Sequence, residues 1–417
     1  MSKKMGFNAT WSMAVGGMVG GGIFSVLGVV VHSSGQWAWL AFVIAGIISL
    51  ISAHGYSQLS IKYQQSGGAF TFLKEINHFG IAGSLSWVLI LGYILTVSVY
   101  AFTFGHYVAH VFQAGAWLPR FLALAVISIL AMVNLRGVGD ASMVEIITVW
   151  GKLAVLLGLS AFGLWQWSPE ELTAGAEAKP CYAALLGAAT IFMAYEGFQL
   201  LSYDYEDIDK PKTTLPKAMI TAVISVIFIY ILVSLGATML VGAETIIEKE
   251  EVSLSIAGQK AMGTTGLILV TIAAAFSTGS AINATLFSTG RLMERVAKEK
   301  VLPSWLAKEN KEGTPWLAVV LMASFAALLS MAGSLSTLVD AASLIFLITF
   351  GAVNWIAFTE RVKYHWISLI GAIGCLIASL ASTWQQYTKN PWAISIILGL
   401  LLFAFLGRPF ILKRINK

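Results

Sequence analysis

Stretches of about 20 mainly apolar residues, each long enough to cross the hydrocarbon of a bilayer, follow one another along this chain with only short polar gaps. Nothing else constrains the fold as strongly. In hydrocarbon every backbone N–H and C=O must find its partner within the protein, so a spanning segment is a helix or part of a closed barrel. Segments of this length are helices. Twelve are expected, at about 8–31, 37–61, 82–112, 118–135, 141–166, 181–207, 216–241, 263–297, 315–333, 337–358, 364–386 and 391–410. The third, sixth and eighth exceed a perpendicular crossing and imply tilt, a break or extension beyond the bilayer.

Composition agrees. Only 11% of residues are charged, against about a quarter in soluble domains. With the N-terminus placed in the cytoplasm, twenty of the 26 Lys and Arg residues fall on the cytoplasmic side and five outside: Arg120, Lys179, Lys249, Lys260 and Lys389. This asymmetry follows the positive-inside rule. It predicts a multi-pass plasma-membrane protein (inner membrane in a bacterium) with both termini cytoplasmic. The first span is too long for a removable signal peptide and lacks a small-residue cleavage site. Cys181 and Cys375 lie in separate segments and make neither a disulfide framework nor a metal pattern. No basic run suggests nucleic acid. The expected surroundings are a lipid bilayer and a small solute, and protein partners are not legible.

One residue, Lys152, lies inside the membrane. It sits near the middle of the fifth span, about 18 Å from either interface, too deep for its stem to reach the surface. An ammonium there faces the bundle interior and finds oxygen partners. In a site that alternately wets and dries, the cost of the charged form changes, so a proton can be loaded and released. The competing reading is a static internal ion pair.

Two spans carry helix-weakening signals. "GGMVGGGIF", Gly16 to Phe24, holds five glycines in nine residues, each weakening a helix by roughly 1 kcal/mol relative to alanine. Either the helix is broken there, or Gly16/Gly20 and Gly17/Gly21 allow close helix packing. In "FMAYEGFQ", Phe192 to Gln199, Gly197 interrupts the sixth span and Glu196 brings a carboxyl to mid-membrane. Glu196 is open to three roles: binding a cationic group, moving a proton, or hydrogen-bonding backbone freed by the break. Facing breaks suit a zwitterion, with N–H groups of one half-helix for the carboxylate and unwound carbonyls for the ammonium. Ser277, Thr278, Ser280 and Asn283 in the eighth span could line an ion site or join helices. His106 and His110 read as ordinary interfacial residues. There is no HExxH, P-loop or nucleophile-and-base set, so no enzyme is expected.

Four motifs in order resemble the amino acid–polyamine–organocation (APC) superfamily of transporters: "GGMVGGGIF"; "YSQLSIKYQQSGGAFTFL", Tyr56 to Leu73; "FMAYEGFQLLSYDYEDIDKPKTTLP", Phe192 to Pro216; and "FSTGSAINATLFSTGRLMERVAKEKVLP", Phe276 to Pro303. The resemblance implies an all-α membrane protein of about 12 helices: an inverted, LeuT-like 5+5 repeat over 8–166 and 181–358, two further helices over 364–410, and breaks in helices one and six. It also implies a substrate carboxylate at the N–H groups of Gly21, Gly22 and Ile23, with Gly20 permitting close approach. The amino group would meet carbonyls of Met18, Met193, Ala194 and Glu196. Lys152 is similar to the helix-five lysine of the proton-coupled branch, with the Gly16 carbonyl and Ser277 hydroxyl as neighbours. Phe192 or Tyr195 would stand in for an aromatic lid, since Met193 occupies that place. Glu206 would contribute to cytoplasmic closure. Gln64 departs from a usual proline, and Lys210 from a common asparagine.

The expectation is proton-coupled amino acid symport by alternating access, with no cofactor beyond the coupling proton. The alternatives are an amino acid or amine exchanger of the same fold, and a non-transporting sensor.

Overall fold

The computed structural model describes residues 4–76, 79–113, 115–137 and 142–389, with positions 394, 399 and 402. The twelfth expected span lies outside the described residues except for these isolated positions. Among the described residues the regular structure is helical: α1 (Phe7–Ser34), α2 (Ala38–Tyr63), α3 (Gly68–Glu75), α4 (Phe79–Phe112), α5 (Leu118–Leu135), α6 (Ser142–Trp165), α7 (Ala183–Thr190), α8 (Pro211–Glu248), α9 (Ser253–Lys298), α10 (Trp316–Ala332), α11 (Leu335–Thr359) and α12 (His365–Lys389). Eleven of the expected spans are recognisable, the sixth being α7 with the short turns that follow it.

Burial sorts the helices by depth. From Ala14 to Val31, all but one of the α1 residues are buried, and α1 packs on α4, α6, α7, α8 and α9. By contrast α5 and α12 expose rows of large apolar side chains, including Phe121, Ile129, Ile370, Leu376 and Leu380. Such broad apolar surface fits lipid as the surrounding solvent.

The long spans resolve differently. α8 changes direction at Gly242 (φ 79°), and α9 at Met262 and Gly263. These kinks mark the ends expected at 241 and 263, and the acidic linker between them is itself mostly helical. In the sixth span, α7 stops at Thr190 and two 3-10 turns follow, Phe192–Tyr195 and Phe198–Ser202. Between them Glu196 is extended (φ −68°, ψ 142°) and Gly197 takes φ 134°. The break falls where Gly197 predicts it.

The first span corrects its expectation. α1 runs as one helix from Phe7 to Ser34, and none of its glycines has positive φ. The glycines serve close approach instead. An added Cβ would lie 2.5 Å from the Ala281 Cβ at Gly20, 1.8 Å from the Tyr100 ring at Gly21, and 2.3 Å from the Tyr230 hydroxyl at Gly22. Neighbours press on several sides of the helix and supply donors to its carbonyls, so the backbone need not open to gain partners.

Candidate functional site

The two glycine-marked segments meet backbone to backbone. A Cβ on Gly17 would stand 2.9 Å from Gly197 Cα, and one on Gly197 would stand 2.6 Å from Gly17 C and Met18 N. Only glycine fits on either side, and Gly197 also needs its positive φ. This contact brings the expected substrate-binding backbone into one place.

A phenol occupies that place. The Tyr230 hydroxyl, from the buried side of α8, lies 2.7 Å from the Met18 carbonyl and 2.8 Å from the Ala194 carbonyl, and within 2.3 Å of where a Cβ on Gly22 would stand. Met18 and Ala194 were expected to take a substrate ammonium, and Ile23 a carboxylate. A single hydroxyl thus stands between two carbonyls assigned to the ammonium end of a zwitterion. Another expected partner is occupied: the Met193 carbonyl accepts from the Glu196 N–H at 2.9 Å, while the Met193 N–H donates to Ser343 Oγ at 3.0 Å. Sequence reasoning missed Tyr230, although a lone phenol at mid-span is a signal, since a buried tyrosine hydroxyl usually finds a partner.

Lys152 is 3% exposed and its Nζ donates to the Gly16 carbonyl at 3.1 Å, joining α6 to α1. The Ser277 hydroxyl, from α9, donates to the Val19 carbonyl at 3.0 Å. Lys152, Tyr230 and Ser277 therefore draw on three carbonyls within one turn of α1. Of the other polar side chains of the eighth span, Thr278 bonds back to Ala274 within α9, while Asn283 accepts from Asn134 and joins α9 to α5.

The expected lids are engaged elsewhere. Phe192 packs edge-on against Phe350 of α11 with centroids 5.5 Å apart, and the Tyr195 hydroxyl donates to the Phe42 carbonyl of α2 at 2.7 Å. The aromatic that does cover α1 is Tyr100 of α4, whose ring lies on Gly21. Its hydroxyl is 3.5 Å from Glu196 Oε2.

Glu206 lines a vestibule of about 390 Å³ with Ser66, Tyr203, Arg291, Arg295 and Lys298 among its walls. The Glu206 N–H donates to Ser66 Oγ at 3.2 Å, and Arg295 donates to the Ser66 carbonyl. Beside it, Lys74 pairs with Glu299 at 2.5 Å. The N-terminal segment is pinned to the same loop by paired backbone bonds, Met5 N–H to Asp207 O at 2.8 Å and Asp209 N–H to Met5 O at 2.9 Å. These bonds tie together the loops around the vestibule.

Membrane-length helices packed around a discontinuous one are the architecture of a secondary transporter. The chain belongs to the amino acid permease family, whose model matches residues 5–406. Relatives include the inner membrane transport protein YbaT of Escherichia coli, 26% identical over all of this chain and 97% of that protein. The serine/threonine exchanger SteT of Bacillus subtilis is 26% identical over 76% of this chain and 74% of its own. The large neutral amino acids transporter small subunit 2 of Mus musculus is 27% identical over 82% and 67%. The fold resembles that of the Eremococcus coleocola manganese transporter in complex with an aromatic bis-isothiourea substituted compound, with a TM-score of 0.62 at 11% identity over 98% of this chain and 95% of that one. The protein is thus an all-α, multi-pass membrane transporter of the amino acid permease family.

Proposed function

We propose that the protein is a proton-coupled amino acid symporter working by alternating access, with Lys152 as the coupling group. The observation that carries this reading is the buried Lys152 ammonium bonded to the Gly16 carbonyl, beside the glycine-rich stretch of α1. Residues 8–166 and 181–358 act as two inverted five-helix sets, with 364–410 outside them and both termini cytoplasmic. The vestibule lined by Arg291, Arg295 and Lys298 then faces the cytoplasm.

While charged, Lys152 ties α6 to α1. An arriving amino acid offers an ammonium to the Met18, Ala194 and Glu196 carbonyls and a carboxylate to the N–H groups of Gly21, Gly22 and Ile23. For this α1, one continuous helix in the structure, opens at Gly20–Gly22 to free N–H groups otherwise bonded within the helix, and the Tyr230 hydroxyl and the Tyr100 ring withdraw. Met193 joins only if its carbonyl gives up the Glu196 N–H. Loss of the Lys152 proton to the cytoplasm weakens the tie to α1 and favours inward release with Glu206 and the vestibule loops parting. Substrate and proton each shift the equilibrium only through their different affinities for the two states.

Because the relative SteT is named as an exchanger, obligatory exchange is the second reading. Purified wild type and Lys152→Ala in proteoliposomes separate the two. Symport predicts that a proton gradient drives uptake in the wild type, and that the substitution abolishes this while sparing counterflow. Counterflow insensitive to the gradient in both proteins would favour exchange and leave Lys152 a structural cation.

A further inference from the structure

Glu196 is a buried acid that the coupling scheme leaves without work for its side chain. It is 2% exposed and sits at mid-membrane. Its Oε1 accepts from Gln199 Nε2 at 2.9 Å, while its Oε2 has only the long 3.5 Å contact with the Tyr100 hydroxyl. Two carboxyl oxygens offer about four acceptor positions, so most of this capacity is unused, and both partners are neutral.

The surroundings cannot supply more. The Gln199 amide is fully engaged: its Oε1 accepts from the Gly197 N–H at 2.8 Å, and its Nε2 also reaches the Tyr93 hydroxyl at 3.3 Å. Tyr93 in turn bonds Tyr203 at 3.2 Å. Thr96 lies between Tyr93 and Tyr100 at helical spacing, so it shares their face of α4. Its hydroxyl is buried and has no partner. Tyr100 spans from this carboxyl to α1, its hydroxyl 3.5 Å from Glu196 Oε2 and its ring on Gly21, where the substrate carboxylate is read to bind.

We propose that Glu196 is the specificity determinant of the substrate pocket and takes the terminal cation of a dibasic amino acid, an ammonium or guanidinium. The inference rests on the transporter reading above. With its carboxylate at Gly21–Ile23 and the Tyr100 ring displaced, such a substrate extends its side chain toward Glu196. A donor-rich cation fills the vacant acceptor positions of the carboxylate and stabilises its ionised form, which has no cation in contact among the described residues. A neutral side chain of the same length offers neither.

Lysine and norleucine, which differ at the terminal ammonium, make the test. Counterflow of each is measured in proteoliposomes holding the full-length protein, wild type and Glu196→Gln. At least a tenfold preference for lysine is expected in the wild type. The substitution should lower the lysine-to-norleucine flux ratio at least tenfold. Thermal stabilisation of the wild type by lysine and not norleucine is a second readout that needs no variant. Norleucine flux equal to or above that of lysine, with both changed alike by the substitution, overturns the proposal and leaves amino acid transport standing. So does equal flux of the two with only the pH dependence altered, which would make Glu196 a proton carrier. Absence of counterflow for any amino acid removes this proposal together with the transporter reading.

Discussion

At the scale of single residues, Gln64 and Lys210, two of the departures from the family pattern, have backbone consequences. Gln64 closes α2 in the left-handed region (φ 53°), and its N–H donates to the Ser60 carbonyl at 2.9 Å. Proline fixes φ near −65° and has no N–H, so Gln64→Pro should cost about 3 kcal/mol or more and show as a marked loss of thermal stability. Lys210, which precedes α8, takes φ 47°. Asparagine tolerates this region better than lysine, so Lys210→Asn should stabilise by about 0.5–1 kcal/mol. A rise of the thermal midpoint without change in transport would check it. Tyr230→Phe leaves the Met18 and Ala194 carbonyls buried without their hydroxyl. That should cost the substrate-free protein about 1–3 kcal/mol, part of which a bound ammonium restores. The measurable sign is a lower midpoint in the empty protein with a larger upward shift on adding substrate.

At the scale of elements, the sixth-span break was legible because Gly197 interrupts an otherwise continuous apolar run, and backbone opening in hydrocarbon needs such a residue. The kinks at Gly242 and Gly263 were legible as ends of hydropathy. The continuity of α1 was not. Glycine content sets how easily a helix opens, but whether it does depends on what presses against it, here Tyr100, Ala281 and Gly197. Tyr100 and Tyr230 also escaped notice, since an aromatic at helical spacing in an apolar span reads as core until its hydroxyl partner is seen. The interhelical loops carry a further test. Glu360, just beyond α11, pairs with Lys62 at 2.5 Å and accepts from the Tyr63 hydroxyl at 2.9 Å. The Lys62 ammonium holds its carboxyl below the usual carboxylate range. A lowered pKa contributes stability that is present above the unfolded value of about 4.3 and is lost as pH falls through the folded value. The side chains of Lys62 and Glu360 are 40% and 27% exposed, so screening limits the effect to about 1 kcal/mol or less. The thermal midpoints of wild type and Glu360→Gln should differ at pH 7 and converge on acidification to about pH 3.

At the scale of the whole molecule, α1 and the broken sixth segment meet at a centre whose backbone polar groups are held by internal side chains, and which we propose as the substrate site. Lys152 and Ser277 hold α1 from α6 and α9, Tyr230 bridges the Met18 and Ala194 carbonyls, and the vestibule loops are tied by Arg295, Glu206 and the Met5 backbone. In the proposed cycle a substrate replaces these internal partners. Coupling of that replacement to one proton is the central claim. It is tested most directly by the accumulation ratio of a transported amino acid at equilibrium, in proteoliposomes with a clamped pH difference and no membrane potential. One proton per amino acid predicts about tenfold accumulation for each pH unit, following the gradient when it is reversed. A ratio that stays at unity across the gradient, with label moving only against amino acid on the other side, would contradict it.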